Sequence, residues 1–291
     1  MLFPTSGIEC NPLLPFVVAM CVSFLTSMAG VSGAFLLLPF QVSVLGYTSP
    51  GVSATNQVFN LLACPAGVLR FWREGRLIGP LVLVMALGTL PGVFLGAWIR
   101  VSLMPDPATF KVFAGLVMLW IGGRMLKNML AGDKGKGGKG SSGSSCEVLS
   151  FTRHELSFSF RDETYSVNCK RLAQLCLVVG LIGGIYGIGG GAILSPFLVA
   201  VFGLPVYAIA GATLCTTFVT SIAGVTFYQL IAPWYPAMSV APDWWLGILL
   251  GLGGMTGMYL GARCQIRVPA ICIKAIMVGI ALFTAYRWLL H

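Results

Sequence analysis

Charge is what this sequence lacks. Only 9% of its 291 residues are Asp, Glu, Lys or Arg, and it has two His. A soluble domain carries charged residues at about a quarter of its positions, so water cannot solvate this surface and the bilayer is the expected solvent. The composition excludes disordered and collagen-like classes, and nucleic-acid binding is not expected although the net charge is +9. The nine Cys have no pair spacing and read as small membrane-buried apolar residues, not as a disulfide or zinc framework. The N-terminal stretch MLFPTSGIECNPLLPF has no basic region ahead of its apolar run, so a cleaved signal peptide is not expected. No ionisable residue is expected deep inside a span, which argues against hydrolysis, metal catalysis or an acid–base relay.

What is present is long neutral stretches. Sixty residues separate Glu9 from Arg70, and 71 separate Arg171 from Asp243, without one charge. A helical crossing takes about 20 residues, so each stretch accommodates three. Single spans fit the neutral runs 77–99 and 244–262, and two more begin near Lys111 and Lys274, with Arg124 and Arg287 near enough to their ends to snorkel. The sum is ten crossings, fewer if a segment is re-entrant. Residues 131–145 (AGDKGKGGKGSSGSS) form a Gly/Ser/Lys linker in which no Gly-Lys precedes Ser or Thr, so a Walker loop is excluded. Residues 146–169 alternate apolar and polar side chains and predict a small β-hairpin. The organisation expected is a first membrane repeat over 1–130, a cytoplasmic linker and hairpin over 131–169, and a second membrane repeat over 170–291.

The word repeat rests on identities. A shift of 157 superposes Gly30, Gly33, Leu37, Pro39, Phe40, Val42, Val44, Gly46 and Ala66-Gly67-Val68 on Gly187, Gly190, Leu194, Pro196, Phe197, Val199, Val201, Gly203 and Ala223-Gly224-Val225. A shift of 165 superposes Gly88, Gly92, Leu95, Gly96 and Ala97 on Gly253, Gly257, Leu260, Gly261 and Ala262. An odd number of crossings per repeat inserts the halves in opposite directions. The loop RFWREGR (70–76) holds three Arg and its counterpart PWYPAMSVAPD (233–243) none. The positive-inside rule then puts the first loop and the central linker in the cytoplasm, and the second loop and both termini outside. Arg100 and Lys111 fall in an outward loop in that reading. The fold class expected is an all-α integral membrane protein of two inverted repeats, each of about five segments with broken or re-entrant helices.

Each half interrupts an apolar run with glycine: MAGVSGAFLLLPF (28–40) and IYGIGGGAILSPF (185–197). Gly30, Pro39, Gly187 and Pro196 are the expected helix-break residues, because Gly permits non-helical backbone and Pro removes a donor. Paired interruptions are the pointer to a transporter's binding site, with half-helix N-termini aimed at an anion. The Gly88/Gly92/Gly96 and Gly253/Gly257/Gly261 stripes read instead as close helix packing. Gly187-x-Gly189-x-x-Ala192 mimics a dinucleotide fingerprint, but no βαβ unit and no acidic ribose partner accompany it. Downstream of each break lies a polar stripe. Asn56, Asn60 and Cys64 share one helix face, with Thr55 and Gln57 beside them, and Thr213, Thr217 and Ser221 share another, with Thr216 and Thr220 beside them. They are either a hydrogen-bonded seam or a shared cavity. The substrate-binding candidates are Ser32, Gly33, Asn56, Gln57, Asn60, Gly189, Gly190, Gly191, Thr213, Thr216 and Thr217. Such a neutral site holds a small oxyanion through fixed dipoles. Cys215 lies near the second stripe and is expected as a buried neutral thiol.

The string GGIYGIGGGAILSPFLVAVFGLPVYAIAGATLCTTF (183–218) resembles the signature of the sulfite exporter TauE/SafE family, also called the toluene sulfonate uptake permease family, and GVSGAFLLLPFQVSVLGYTSPGVSATNQ (30–57) looks like its degenerate copy. The resemblance implies a multi-span inner-membrane transporter of sulfite, sulfonates or related organosulfur anions, with no cofactor. Its motif residues would be Gly187, Gly189, Gly190, Gly191, Pro196 and Thr213, opposite Gly30, Gly33, Pro39 and Asn56. Ser32 and Ala34 replace the glycines found at 189 and 191, so the halves need not bind symmetrically. Expected partners are a small anionic substrate, membrane lipid and a coupling ion, a proton or another; no motif encodes an oligomeric state. A passive anion channel and an integral-membrane enzyme remain as alternatives, the latter needing an ionisable or metal-binding cluster.

Overall fold

The computed structural model describes residues 1–28, 32–130, 146–152, 154–161, 163–264 and 270–290. Ten α-helices lie among them: α1 (Leu13–Met28), α2 (Ala34–Ser43), α3 (Gly51–Arg73), α4 (Gly79–Ser102), α5 (Pro107–Leu130), α6 (Cys169–Tyr186), α7 (Gly190–Phe202), α8 (Val206–Ile231), α9 (Trp244–Cys264) and α10 (Ala270–Leu290). The scarce polar residues outside the apolar runs start several of them. Asn11, Asp106, Asn168 and Asp243 accept from the backbone N–H of Leu13, Thr109, Arg171 and Leu246 at 2.9–3.1 Å, which satisfies donors that the first helical turn leaves open.

The helices pack in pairs that exchange when five is added to each number. The most extensive pair is α4 with α6, and then α1 with α9; α3 with α9 matches α8 with α4, while α3 with α8 and α5 with α10 map onto themselves. Glycines fix the directions. Gln57 lies against Gly224, Leu214 against Gly67 and Phe71 against Gly211, so α3 and α8 run antiparallel; Leu289 against Gly115 and Leu282 against Gly122 give the same result for α5 and α10. The two glycine stripes are packing seams. A Cβ at Gly92 or Gly96 would strike the Leu177 or Leu181 carbonyl of α6, and one at Gly253, Gly257 or Gly261 the Phe16, Met20 or Phe24 carbonyl of α1. Only a bare Cα lets these backbones approach so closely.

Among the described residues, four helices are long and apolar enough to cross a membrane: Gly79–Ser102, Pro107–Lys127, Cys169–Tyr186 and Ala208–Trp234. Leu83, Leu87, Leu95, Trp98, Leu116, Trp120, Val178, Tyr259 and Phe283 leave large apolar surfaces exposed along several helices, the side that lipid covers. By contrast α2 and α7 have 10 and 13 residues, which at about 1.5 Å per residue falls short of a hydrocarbon core of about 30 Å. The loop after α7 is three residues long, and α8 starts near Phe71 and Arg76 at the end of α3. So α6 enters from the end of the molecule where residues 70–76 lie (the linker face), breaks, and returns to it as α7. At the opposite end, the terminus face, Trp288 Nε1 donates to Ser43 Oγ at the end of α2 (2.8 Å), and Gly51 N–H donates to Ser239 O (2.9 Å).

The alternating segment is not a hairpin. It is a three-stranded antiparallel sheet of Cys146–Phe151, Glu155–Phe160 and Glu163–Asn168 in sequential order. The alternation is broken twice: by a turn in which Thr152 Oγ1 accepts from Glu155 N–H (3.1 Å), and by a reversal after Arg161, held at φ 54°. The sheet rests on the linker face through Cys146 N–H to Gly75 O (3.0 Å). Two short paired strands, Leu2–Phe3 and Ile8–Glu9, add a motif that the sequence reading did not contain; Ser6 between them donates through N–H and Oγ to Asp243 Oδ2 (3.0 and 2.8 Å).

Candidate functional site

The second break is built entirely by glycine geometry. Gly187 ends α6 at φ 81° with its N–H on Gly183 O, and Gly189 enters α7 at φ 71°, ψ 151°. A Cβ at Gly187 would collide with the Ser53 backbone, so both torsion and space demand glycine there. The carbonyls released by the break are met by α3. Asn56 Nδ2 donates to Gly187 O (3.1 Å) and Asn60 Nδ2 to Ile188 O (3.0 Å). Ser53 Oγ donates to Ile185 O (3.1 Å), and Tyr228 OH to Gly184 O (3.3 Å).

The same two carboxamides hold the first break. Asn56 Nδ2 also donates to Ala34 O (2.9 Å), while its Oδ1 accepts from Gln41 Nε2 (3.1 Å); Asn60 Oδ1 accepts from Ser32 Oγ (2.9 Å). Gly33 stands at the N-terminus of α2, where a Cβ would come 2.9 Å from Ser23 Oγ. Tyr186 of α6 donates to Phe35 O of α2 (3.0 Å). Both broken segments thus meet beside the middle of α3, in an interior where Ser32, Asn56, Gln57 and Asn60 have at most 1% exposure.

The α8 face differs. Its hydroxyls bond back along their own helix: Thr213 to Ala210 O, Thr217 to Thr213 O, and Thr220 to Thr216 O, at 2.8–3.0 Å. Thr220 Oγ1 also accepts the first amide of α7, Gly190 N–H, at 3.2 Å. On α8, Thr216 Oγ1 and Ser221 Oγ are buried without a hydrogen-bond partner, and so are both amide atoms of Gln57, which lies against Gly224. A Cβ at Gly189 would lie 3.0 Å from Ser221 Oγ and 3.2 Å from Thr220 Oγ1. The α7 N-terminus, positive by its helix dipole, therefore lies against the Thr220 and Ser221 hydroxyls, of which Ser221 has no partner.

The family model for the sulfite exporter TauE/SafE matches residues 15–288, nearly the whole chain. The chain belongs to that family. It is similar to a probable membrane transporter protein of Xylella fastidiosa (strain 9a5c), 23% identical over 280 residues covering 91% of this chain and 92% of the relative. It is also similar to the probable membrane transporter protein YunE of Bacillus subtilis (strain 168), 21% identical over 279 residues covering 90% and 92%. No solved structure matches it. A TauE/SafE chain with this helical composition is a membrane protein, and family and relatives point to transporters, not enzymes. Among the described residues no group of three or more His, Cys, Asp or Glu is placed to hold a metal ion.

For this TauE/SafE chain the structure brings Ser32, Gly33, Asn56, Gln57, Asn60, Gly189, Gly190, Gly191, Thr213, Thr216 and Thr217 to one interior region. Of the expected break residues, Gly187 is at the break, and Gly30 lies outside the described residues. Pro39 and Pro196 sit inside α2 and α7, which continue through them, and the second interruption falls at Gly187 and Gly189. Sequence reasoning passed over Ser53, Gln41, Tyr186 and Tyr228; only Tyr186 gave a signal, as a lone hydrogen-bonding residue in an apolar, Gly-rich run. Arg100 needs correction: it belongs not to an outward loop but to the last turn of α4, with no exposure at all, while Asp243, which bounds a neutral run, is fully buried as the cap of α9.

Proposed function

We propose that this chain is a secondary transporter of small sulfur oxyanions or sulfonates, such as sulfite or sulfoacetate, in the cytoplasmic membrane. The observation carrying this reading is the α7 N-terminus set against the unpartnered Ser221 hydroxyl, with Thr216 of α8 and Gln57 of α3 also buried unpartnered. Hydroxyls, carboxamides and backbone N–H groups match the oxygens of such an anion without needing a fixed cation in the site. The antiparallel pairing of α3 with α8 and of α5 with α10 supports two inverted repeats, because corresponding helices of such repeats point opposite ways. A re-entrant pair returns to its own face, so α1–α2 and α6–α7 leave the parity of each half odd. With Arg70, Arg73, Arg76, Lys127, Lys170 and Arg171 at the linker face, the positive-inside rule places that face in the cytoplasm and both termini outside.

Full burial of the site residues means that an anion enters only when the helices move, which favours alternating access over a permanently open pore. A gated channel would share this lining, and counterflow separates the two. Proteoliposomes preloaded with sulfite should accelerate uptake of labelled sulfite if the protein is a carrier; electrodiffusive flux without trans-stimulation would make it a channel. Substrate class is tested by thermal shift of the purified protein with sulfite, thiosulfate, sulfate, sulfoacetate and taurine. Stabilisation by at least one is expected, and no shift with any of them would defeat the sulfur-anion reading.

A further inference from the structure

Arg100 is the one guanidinium of the described residues recorded with no exposure. Its Cζ lies 3.8 Å from the centre of the Phe110 ring, Nη2 donates to Thr48 O (3.3 Å), Nη1 donates to Met104 O, and Nε has no partner. No carboxylate of the described residues pairs with it. Carbonyls, the ring and the C-terminal dipole of α4 offset part of the cost of burying this cation. A side chain that served only as a helix cap would snorkel its head to water. An intramembrane charge without a counter-charge marks a functional site.

Its position says which. Val101, the next residue along α4, packs against Tyr228, and Tyr228 and Ser53 hold the Gly184 and Ile185 carbonyls in the last turn before Gly187. On the other side, Tyr228 and Val101 form a small apolar cluster with Ile231 and Val240. Val240 also walls an open concavity of about 400 Å³ on the terminus face, together with Thr5, Tyr235 and Met238. The apolar cluster that Val101 joins thus links the concavity, through Val240, to Tyr228 and the second helix break, with Arg100 next to Val101 at its edge.

We propose that Arg100 forms an anion subsite on the terminus-face side of the break, where the guanidinium holds the substrate oxyanion on its way to or from the α7 N-terminus. This rests on the reading of the chain as a small-oxyanion transporter. The subsite is one-sided, because at the 165-residue shift Arg100 corresponds to a neutral residue, Gln265. Its contribution therefore falls on affinity at one face.

The test is labelled sulfite exchange by the full chain in proteoliposomes of both orientations, with KM measured separately at each face. Arg100→Gln should raise KM about tenfold or more at the terminus face, the loss of a charge-assisted contact, and leave the linker-face KM and the maximal rate near wild type. Arg100→Lys should fall between. Unchanged KM at both faces overturns the subsite, and so does an equal loss at both faces, which is what a merely structural cap would give. If Arg100→Gln does not fold, Arg100→Lys carries the same one-face criterion. If wild type moves no sulfur anion, the substrate class fails separately, and thermal shifts with sulfite, phosphate, nitrate and acetate test the subsite. An anion-induced shift that survives in Arg100→Gln overturns it, as does the absence of any shift in wild type. A shift lost in Arg100→Gln but kept in Thr284→Val, a change on the exposed face of α10, upholds it.

Discussion

The polar faces of α3 and α8 occupy equivalent places in the two halves and are put to opposite uses. Asn56 and Asn60 on α3 reach across to both broken segments, donating to carbonyls of both breaks and accepting from Gln41 and Ser32. Thr213, Thr217 and Thr220 on α8 satisfy themselves on their own helix, one turn back. The difference follows from the groups. A carboxamide has two donors and an acceptor on a long arm, whereas a Thr hydroxyl finds the carbonyl of residue i−4 or i−3 without leaving its helix. So α3 is committed to holding the broken helices, whereas α8 leaves the Thr216 and Ser221 hydroxyls unpaired.

Asn56→Leu breaks this comparison most severely. It leaves Ala34 O, Gly187 O and Gln41 Nε2 unpaired where no water reaches, at about 1–3 kcal/mol for each group. A large fall in melting temperature of the detergent-purified protein is expected; a shift under about 2 °C would mean that the break does not depend on α3. Gly187→Ala comes next. It adds the penalty of a left-handed residue, about 1–2 kcal/mol, to a collision with the Ser53 backbone. Gly46→Ala is its control, since Gly46 has φ 70° and nothing within 4 Å of a built Cβ. Comparable melting temperatures for these two variants would show that the close approach of α3 to the break costs nothing. Ser221→Ala should change stability by no more than about 0.5 kcal/mol, because no hydrogen bond is lost, yet should weaken transport. Normal exchange kinetics in Ser221→Ala and in Thr216→Val would return the α8 face to packing.

Much of this architecture was legible in the sequence because membrane constraints are coarse. Neutral runs bounded by Glu9, Arg70, Arg171 and Asp243 mark where helices can be, and the clustered glycines at 187–191 mark where one cannot continue. What was not legible depends on partners distant in sequence. Nothing local tells that Asn56 serves Gly187, 131 positions away, while Thr213 serves Ala210. The prolines misled for a related reason: Pro39 and Pro196 fall at about the sixth residue of their helices, where the ring removes one hydrogen bond without ending the run. Arg100 misled because a charge count treats the end of a run as a loop, whereas the last turn of α4 continues into the protein and buries it.

The smallest test concerns how the two central helices end. At the linker face α3 closes on an ionic cap, with Arg70 Nε and Arg76 Nη1 each 2.9 Å from the Glu74 carboxylate; α8 ends at the terminus face in the uncharged turn Ala232–Trp234. Desolvation pushes the Glu74 carboxyl up, but the hydrogen bonds and charges of Arg70 and Arg76 outweigh it and hold it below the usual carboxylate range. A depressed carboxylate contributes stability in full above its unfolded value and loses it as pH falls through the folded one. Acidification should therefore loosen the end of α3 and not that of α8. Because Arg70 and Glu74 are about half and a third exposed, the pair is worth only a few tenths of a kcal/mol, and amide exchange resolves it better than melting. Exchange at the end of α3 should accelerate on acidification, relative to the end of α8, in wild type and not in Glu74→Gln. An identical acid response in the two proteins would show that the arginines of this loop act on the membrane surface and not on the helix.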